Sequence, residues 1–196
     1  MAENQTDADL LRRAARGEES AFAVLYERHR AAIYRFAYRF LGSRTLAEDV
    51  TQECFLALVR RPEGYKPEKA ALRTYLCAAA RNLSFKQLRK LGVETLMDET
   101  PEPAMTTETP TPLQALLDDE ISGRVREAVE GLPPLQREAI ILFEYEEMSL
   151  VEIAAIADAD VGTIKSRLHR ARERLRRSLA PWMTERKAAH AAEMRT

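Results

Sequence analysis

An all-α fold, in two small helical domains joined by a flexible acidic linker, follows from three observations in this 196-residue chain. Strand signals are nearly absent: β-branched residues rarely run together, and no Asn-Gly or Asp-Gly pair marks a hairpin turn. Apolar residues instead recur at helical spacing, between polar cap residues and glycines that start and stop each run. Between residues 92 and 113 the periodicity lapses into four prolines, six threonines and five acids, the composition of a solvated tether. The implied division is a domain at 1–91, a linker at 92–115, a second domain at 116–180 containing a helix-turn-helix, and a tail at 181–196.

The elements follow in order. A first helix at about 7–16 ends at Gly17. A second, from about Ser20, carries Phe22, Leu25, Ile33, Phe36, Phe40 and Leu41 as its core stripe and stops at Gly42. Thr45 with Glu48 has capping-box spacing and opens a third helix to about Arg60, with Val50, Phe55, Leu56 and Val59 inward. RPEGYKPEKA at 61–70 holds two prolines and a glycine and is a loop. The fourth helix, about 71–91, carries Leu72, Tyr75, Leu76, Ala79, Leu83 and Leu88. Past the linker, a helix at about 116–130 ends at Gly131. Pro133 and Pro134 begin the next, with Leu135, Ile140, Leu142 and Phe143. Pro181 is expected to end or kink the last helix.

Residues 149–177, SLVEIAAIADADVGTIKSRLHRARERLRR, are the most informative stretch. Ser149 and Glu152 form a capping box for a short acidic helix, and a tight turn leads to a helix crowded with arginine. Ile153, Ala154, Ala157, Ile164 and Leu168 make the seam between the two. Residues 161–177 hold seven Lys or Arg against one acid, Glu173. A helix-turn-helix with so basic a second helix is built to meet phosphate and reach base edges in a major groove.

The net charge of −1 hides a segregation of sign. Residues 92–120 contain eight acids and residues 138–160 seven, with no Lys or Arg in either stretch. Positive charge gathers at 60–90 and 165–177, a bipartite footprint for a polyanion with acid elsewhere limiting indiscriminate binding. Cys54 and Cys77 lie inside expected helices, as small buried side chains, with no CxxC and no His/Cys cluster. No metal and no cofactor is expected. There is no phosphate-cradling glycine loop and no nucleophile–base motif, so neither an enzyme nor a small-molecule substrate is indicated. No apolar run reaches membrane-spanning length and no signal peptide opens the chain, so a cytoplasmic protein is expected.

Three segments, in order, resemble the bacterial RNA polymerase sigma factors of the extracytoplasmic-function group. AEDVTQECFL at 47–56 is similar to the acidic helix with which that family grips the polymerase. LRTYLCAAARNLSFKQLRK at 72–90 is similar to its promoter-melting helix. Residues 132–177, with GTIKSRLHRAR, resemble its −35-reading domain. Departures from the pattern are Tyr75 where tryptophan is usual, Lys86 where aspartate is common, and Asp158 at a turn position often held by glycine; Asp tolerates the left-handed conformation.

The resemblance implies roles. Lys165, Ser166, Arg167, His169 and Arg170 would read the duplex −35 element, where a bidentate arginine–guanine contact contributes about 1–3 kcal/mol. Thr163 and the helix N-terminus would hold a phosphate. Arg137 is either a further phosphate contact or half of a surface ion pair. Arg73, Tyr75, Arg81, Asn82, Lys86 and Arg89 would line a single-strand −10 path, with the 61–70 loop forming part of a base pocket. Tyr75 fits core packing as well as stacking. Glu48, Asp49, Gln52 and Glu53 would dock core RNA polymerase. Polymerase is needed because opening about a dozen base pairs breaks roughly 15 kcal/mol of stacking, far more than a few captured bases return. Promoter DNA and an anti-sigma factor complete the implied partners. Two other readings stay open on the residues alone: a stand-alone helix-turn-helix regulator, and a decoy that sequesters an anti-sigma factor.

Overall fold

The structure is a computed structural model; it describes the backbone of residues 5–92 and 119–193, with the side chains of 123–182 in the second stretch. All regular structure among the described residues is helical. Apart from Gly92, the expected linker lies outside the described residues, as does the start of the helix expected from about 116.

The first helical group comprises α1 (Asp7–Ala14), α2 (Glu19–Leu41), α3 (Arg44–Arg60) and α4 (Leu72–Lys90). Its spine is α2, whose apolar stripe of Leu25, Ile33, Phe36 and Phe40 is fully buried. Against it pack Val50, Cys54, Phe55 and Leu58 of α3 and Leu72, Leu76, Cys77 and Ala80 of α4. Ring contacts tie the layers: Phe40 lies 4.9 Å from Phe85, and Tyr26 meets Phe55 edge-on at 4.8 Å. Gly42 ends α2 at φ 68°, a left-handed cap that suits glycine. α1 folds back over α2, where the half-buried Asp7 carboxylate accepts from Arg28 at 2.6 Å and meets His29 Nε2 at 2.9 Å.

The second group comprises α5 (Asp119–Glu130), α6 (Pro134–Ile140), α7 (Leu150–Ala157) and α8 (Val161–Glu193). Between α6 and α7 the chain widens into a π turn, Ile141–Tyr145, and the Glu146 and Met148 amides bond back to Ile141 and Leu142. Glu147 follows at φ 53° and swings the chain into α7. The capping box is in place: Ser149 Oγ accepts from the Glu152 amide at 3.3 Å, and Glu152 Oε2 accepts from the Ser149 amide at 2.9 Å. Ser149 Oγ also donates to Glu152 Oε2 at 2.7 Å, and this bond, with that from the Ser149 amide, holds the Glu152 carboxyl below its ordinary range. Asp158 makes the helix-turn-helix turn in the left-handed region, φ 51° and ψ 51°. Ile153, Ala154, Ala157, Ile164 and Leu168 are buried between the helices, as the spacing requires.

Three expectations are corrected. Ser43, not Thr45, caps α3, because Ser43 sits outside the first turn and its Oγ accepts from the Leu46 amide. Leu56 is 48 % exposed rather than inward. α8 runs through Pro181 to Glu193 without stopping there; the proline removes one ladder hydrogen bond, and Pro181 and Trp182 line a cleft of about 480 Å³ against Gly131 and Leu132. The two groups also touch. α7 lies against α4, while α5, α6 and the π turn lie against α2.

Replacing Ser149 by Ala removes the cap at the start of α7 and is expected to lower stability by about 1 kcal/mol, read from chemical denaturation. Burial pushes both the Cys54 and Cys77 thiols up to about 12. Below pH 9 both are therefore protonated in the folded chain, and a thiol reagent at pH 8 should label them only after denaturant is added.

Candidate nucleic-acid interface

The recognition helix begins at an internal cap. Asp160 Oδ1 accepts from the Thr163 amide at 2.9 Å and Oδ2 from the Thr163 hydroxyl at 2.5 Å, which lowers the Asp160 pKa. This corrects the expectation for Thr163. Its hydroxyl and amide already serve a carboxylate, and a phosphate brought to that spot would face the Asp160 charge. The next turn is different: Lys165, Ser166 and His169 are exposed, while Arg167 and Arg170 are half-buried, with Arg167 Nη1 and Arg170 Nε enclosed. Further along, Arg172 bonds Glu144 at 2.7 Å and stacks over Phe143 at 5.2 Å, and Arg176 pairs with Glu173. The exposed cations of the first turns are thus the ones presented outward.

Arg137 is held by backbone carbonyls in this fold. Its guanidinium donates to the carbonyl oxygens of Phe40 and Leu132, each at 2.9 Å, and of Glu130. Those carbonyls stand at the ends of α2 and α5, where helices leave acceptors unpaired, and the planar fork of arginine reaches all of them.

The residues expected to line a single-strand path divide into three sets. Arg73 and Arg81 face the second helical group: Arg73 Nη2 bonds the Glu146 carbonyl at 2.6 Å and its carboxylate at 3.1 Å, and Arg81 Nε bonds Glu138 at 2.5 Å. Tyr75 is half-buried and lies 5.6 Å from Tyr65, in a cavity of about 290 Å³ formed with Gly64, Lys66 and Lys69 of the loop. Core packing and cavity lining coexist here, because a Cβ on Gly64 would come within 2.9 Å of the Tyr75 hydroxyl. Asn82 and Arg89 are exposed. Lys86 is exposed too, but it borders another groove.

That groove, about 270 Å³, runs between α3 and α4 and is lined by Asp49, Gln52, Glu53 and Leu56 on one side and Lys86 and Lys90 on the other. Glu48, Asp49, Gln52 and Glu53 are all exposed along α3. Leu56 adds an apolar spot to this acidic face, a residue that helical periodicity assigns to the core. Acidic, apolar and basic groups side by side suit a protein partner better than nucleic acid.

Sequence reasoning does not single out Glu138 or Glu146. Glu146 has no exposed side-chain surface, and Arg35, Arg39 and Arg73 converge on it at 3.4, 3.4 and 3.1 Å. Glu138 is equally buried; burial raises its pKa while Arg81 and Arg167 oppose the rise. Among the described residues no His, Cys, Asp and Glu group could hold a metal ion, and no helix is long and apolar enough to cross a membrane.

Comparison with known proteins places these features. The family model for sigma-70 region 2 matches residues 25–93, and that for sigma-70 region 4 matches residues 122–175. The ECF RNA polymerase sigma factor SigE of Mycolicibacterium smegmatis is 33 % identical, over 87 % of this chain and 67 % of its own. The sigma-H factor of Pseudomonas aeruginosa is 31 % identical over 94 % of this chain and 100 % of its own. Among solved structures, the sigma factor RpoE of Bartonella quintana, in complex with the anti-sigma factor NepR, aligns with a TM-score of 0.60 at 27 % identity, covering 81 % of this chain and 96 % of that one. CnrH in complex with the cytosolic domain of CnrY shares the fold, with a TM-score of 0.67 at 24 % identity over 90 % of this chain and 99 % of that one.

Removing the Arg137 fork leaves partly buried carbonyls unpaired. Arg137→Ala should therefore cost about 1–3 kcal/mol of stability in a thermal or denaturant melt, while the salt dependence of DNA binding keeps its slope.

Proposed function

The chain belongs to the extracytoplasmic-function sigma factors of RNA polymerase, and on that premise we propose how its own residues divide the work. It is an alternative sigma factor: with core RNA polymerase it directs transcription initiation at promoter DNA. Within it, residues 1–91 serve polymerase docking and the −10 element, and residues 116–180 the −35 element.

Lys165, Ser166 and His169, with Arg167 and Arg170 behind them, read the −35 duplex from the first turns of α8. Arg73, Tyr75, Arg81, Asn82 and Arg89 hold the non-paired −10 strand, and the cavity between Tyr65, Tyr75 and the two loop lysines takes one unstacked base. Thr163 and Arg137 are left out of the DNA-contacting set, since each already serves a protein partner. Lys86 moves to the docking groove. Glu48, Asp49, Gln52 and Glu53, with Leu56, form the polymerase-facing surface. The protein acts in the cytoplasm by binding and orienting, with no chemistry of its own. An anti-sigma protein is a further partner, of the kind seen with the Bartonella quintana relative.

The observation that carries this reading is the pairing, in one chain, of an outward basic turn on α8 with an outward acidic and apolar face on α3. Run-off transcription with core polymerase on a random promoter pool tests it. Transcripts should depend on the protein and disappear in Arg167→Ala/Arg170→Ala, a melt of the variant confirming that it is folded. Lys165→Ala should relax specificity at one position of the −35 duplex, lowering discrimination against the wrong base there by about 1–3 kcal/mol. Asp49→Lys/Glu53→Lys should weaken polymerase binding and leave duplex affinity intact. Transcription unaffected by the α8 variants would refute the −35 assignment.

A further inference from the structure

Residues 34–40 of α2 read YRFAYRF, so Tyr34 and Tyr38 recur four positions apart, as do Arg35 and Arg39. That spacing sets like above like on adjoining ridges of one helix. The two phenol rings are parallel to within 1°, their centroids 6.1 Å apart, and present a row of two aromatic faces. The row bounds a cavity of about 440 Å³, which α5 closes from the other side with Val125, Arg126 and Val129, and the π turn with Tyr145. A cavity of this size takes one small organic molecule. None of these side chains has a part in the DNA and polymerase contacts assigned above.

Three guanidiniums line the cavity, Arg35, Arg39 and Arg126, against one acid, Glu130. Arg39 lays its face over the Tyr145 ring, 4.5 Å from the centroid, which leaves the N–H edge of the fork to donate. Glu146 engages Arg35 and Arg39 only at 3.4 Å each, while it holds Arg73 at 3.1 Å. One carboxylate shared among three arginines leaves positive charge and spare donors beside the aromatic row.

We propose that this cavity is a binding site for a nucleoside phosphate: the planar base lies against Tyr34 and Tyr38, and the phosphate takes N–H donors from Arg35, Arg39 and Arg126. Aromatic faces alone suit any planar apolar molecule, and arginines alone suit any anion. Their meeting in one cavity selects a ligand that carries both features. Walls on three sides, with room for one small molecule, favour a free nucleotide over a continuous strand.

Titration calorimetry of the full chain with adenosine diphosphate and guanosine diphosphate tests the site, with adenosine, guanosine and inorganic pyrophosphate as half-ligands. At least one diphosphate should bind with a Kd below about 1 mM, and its half-ligands about tenfold more weakly or worse. Tyr34→Leu/Tyr38→Leu keeps apolar bulk but removes both rings, and Arg126→Gln removes a cation that takes no part in the Glu146 cluster. Each should weaken binding about tenfold. Tyr34→Phe/Tyr38→Phe, which keeps both rings, should bind within about threefold of the unaltered chain. A melt of each variant checks that it is folded. A photoreactive azido form of the diphosphate that binds should label tryptic peptides containing Tyr34 or Tyr38, and excess unlabelled diphosphate should protect them.

Absence of binding by both diphosphates overturns the site. Pyrophosphate that binds as tightly as the diphosphates overturns the assignment to nucleotides, since the arginines would then accept any anion. Affinity unchanged in the leucine and Arg126 variants, with labelling confined to peptides of α8, overturns the location. No promoter DNA or polymerase enters these measurements, so they stand or fall apart from the transcription assay.

Discussion

A carboxylate with no exposed surface has to be surrounded by cations and donors, and Glu146 meets that condition only where the two helical groups touch. Desolvating the charge costs several kcal/mol, offset only if the pairing is close and multiple. Arg35 and Arg39 come from the C-terminal part of α2 and Arg73 from the first turn of α4, so Glu146 also fixes where the second group sits on the first. Around that point the other cross-contacts fall into register: Arg81 on Glu138, Thr74 on Glu152, and α7 over the tyrosine cavity.

Delivering Glu146 to this place depends on backbone geometry rather than on its own chemistry. The π turn at Ile141–Tyr145 adds width at the end of α6, and Glu147 takes a left-handed conformation uncommon for a side chain of its kind. Together they aim Glu146 inward and Glu144 outward, to Arg172 on α8. One short acidic run thereby serves arginines on three helices, α2, α4 and α8.

Much of the fold was legible in the residues because its signals are local. Gly42, the Ser149–Glu152 box and the left-handed Asp158 each act within a few positions of themselves, and each stands where spacing puts it. The features that were not legible depend on distant partners. Arg137 caps a carbonyl at position 40, and no pattern in its neighbourhood names that acceptor. Glu138 and Glu146 sit in a stretch that reads as a solvated acidic face, and only packing reveals them as buried. Leu56 fits a helical stripe, yet periodicity does not say which edge of a stripe the molecule leaves uncovered. Asp160 is different. An acid three positions before Thr163 is a local cap signal, present in the sequence but not read there.

On the −35 assignment proposed for α8, that cap changes how the helix meets a genome. A bare N-terminus attracts any phosphate backbone equally, and every chromosomal site then competes with the promoter. Asp160 cancels part of that attraction at the helix tip and does so for all sequences alike. The contacts that remain effective are those of Lys165, Ser166, Arg167, His169 and Arg170, whose strength depends on which bases lie beneath them. A weaker hold on DNA in general becomes a larger ratio between the right site and the wrong ones, and with millions of wrong sites that ratio sets occupancy.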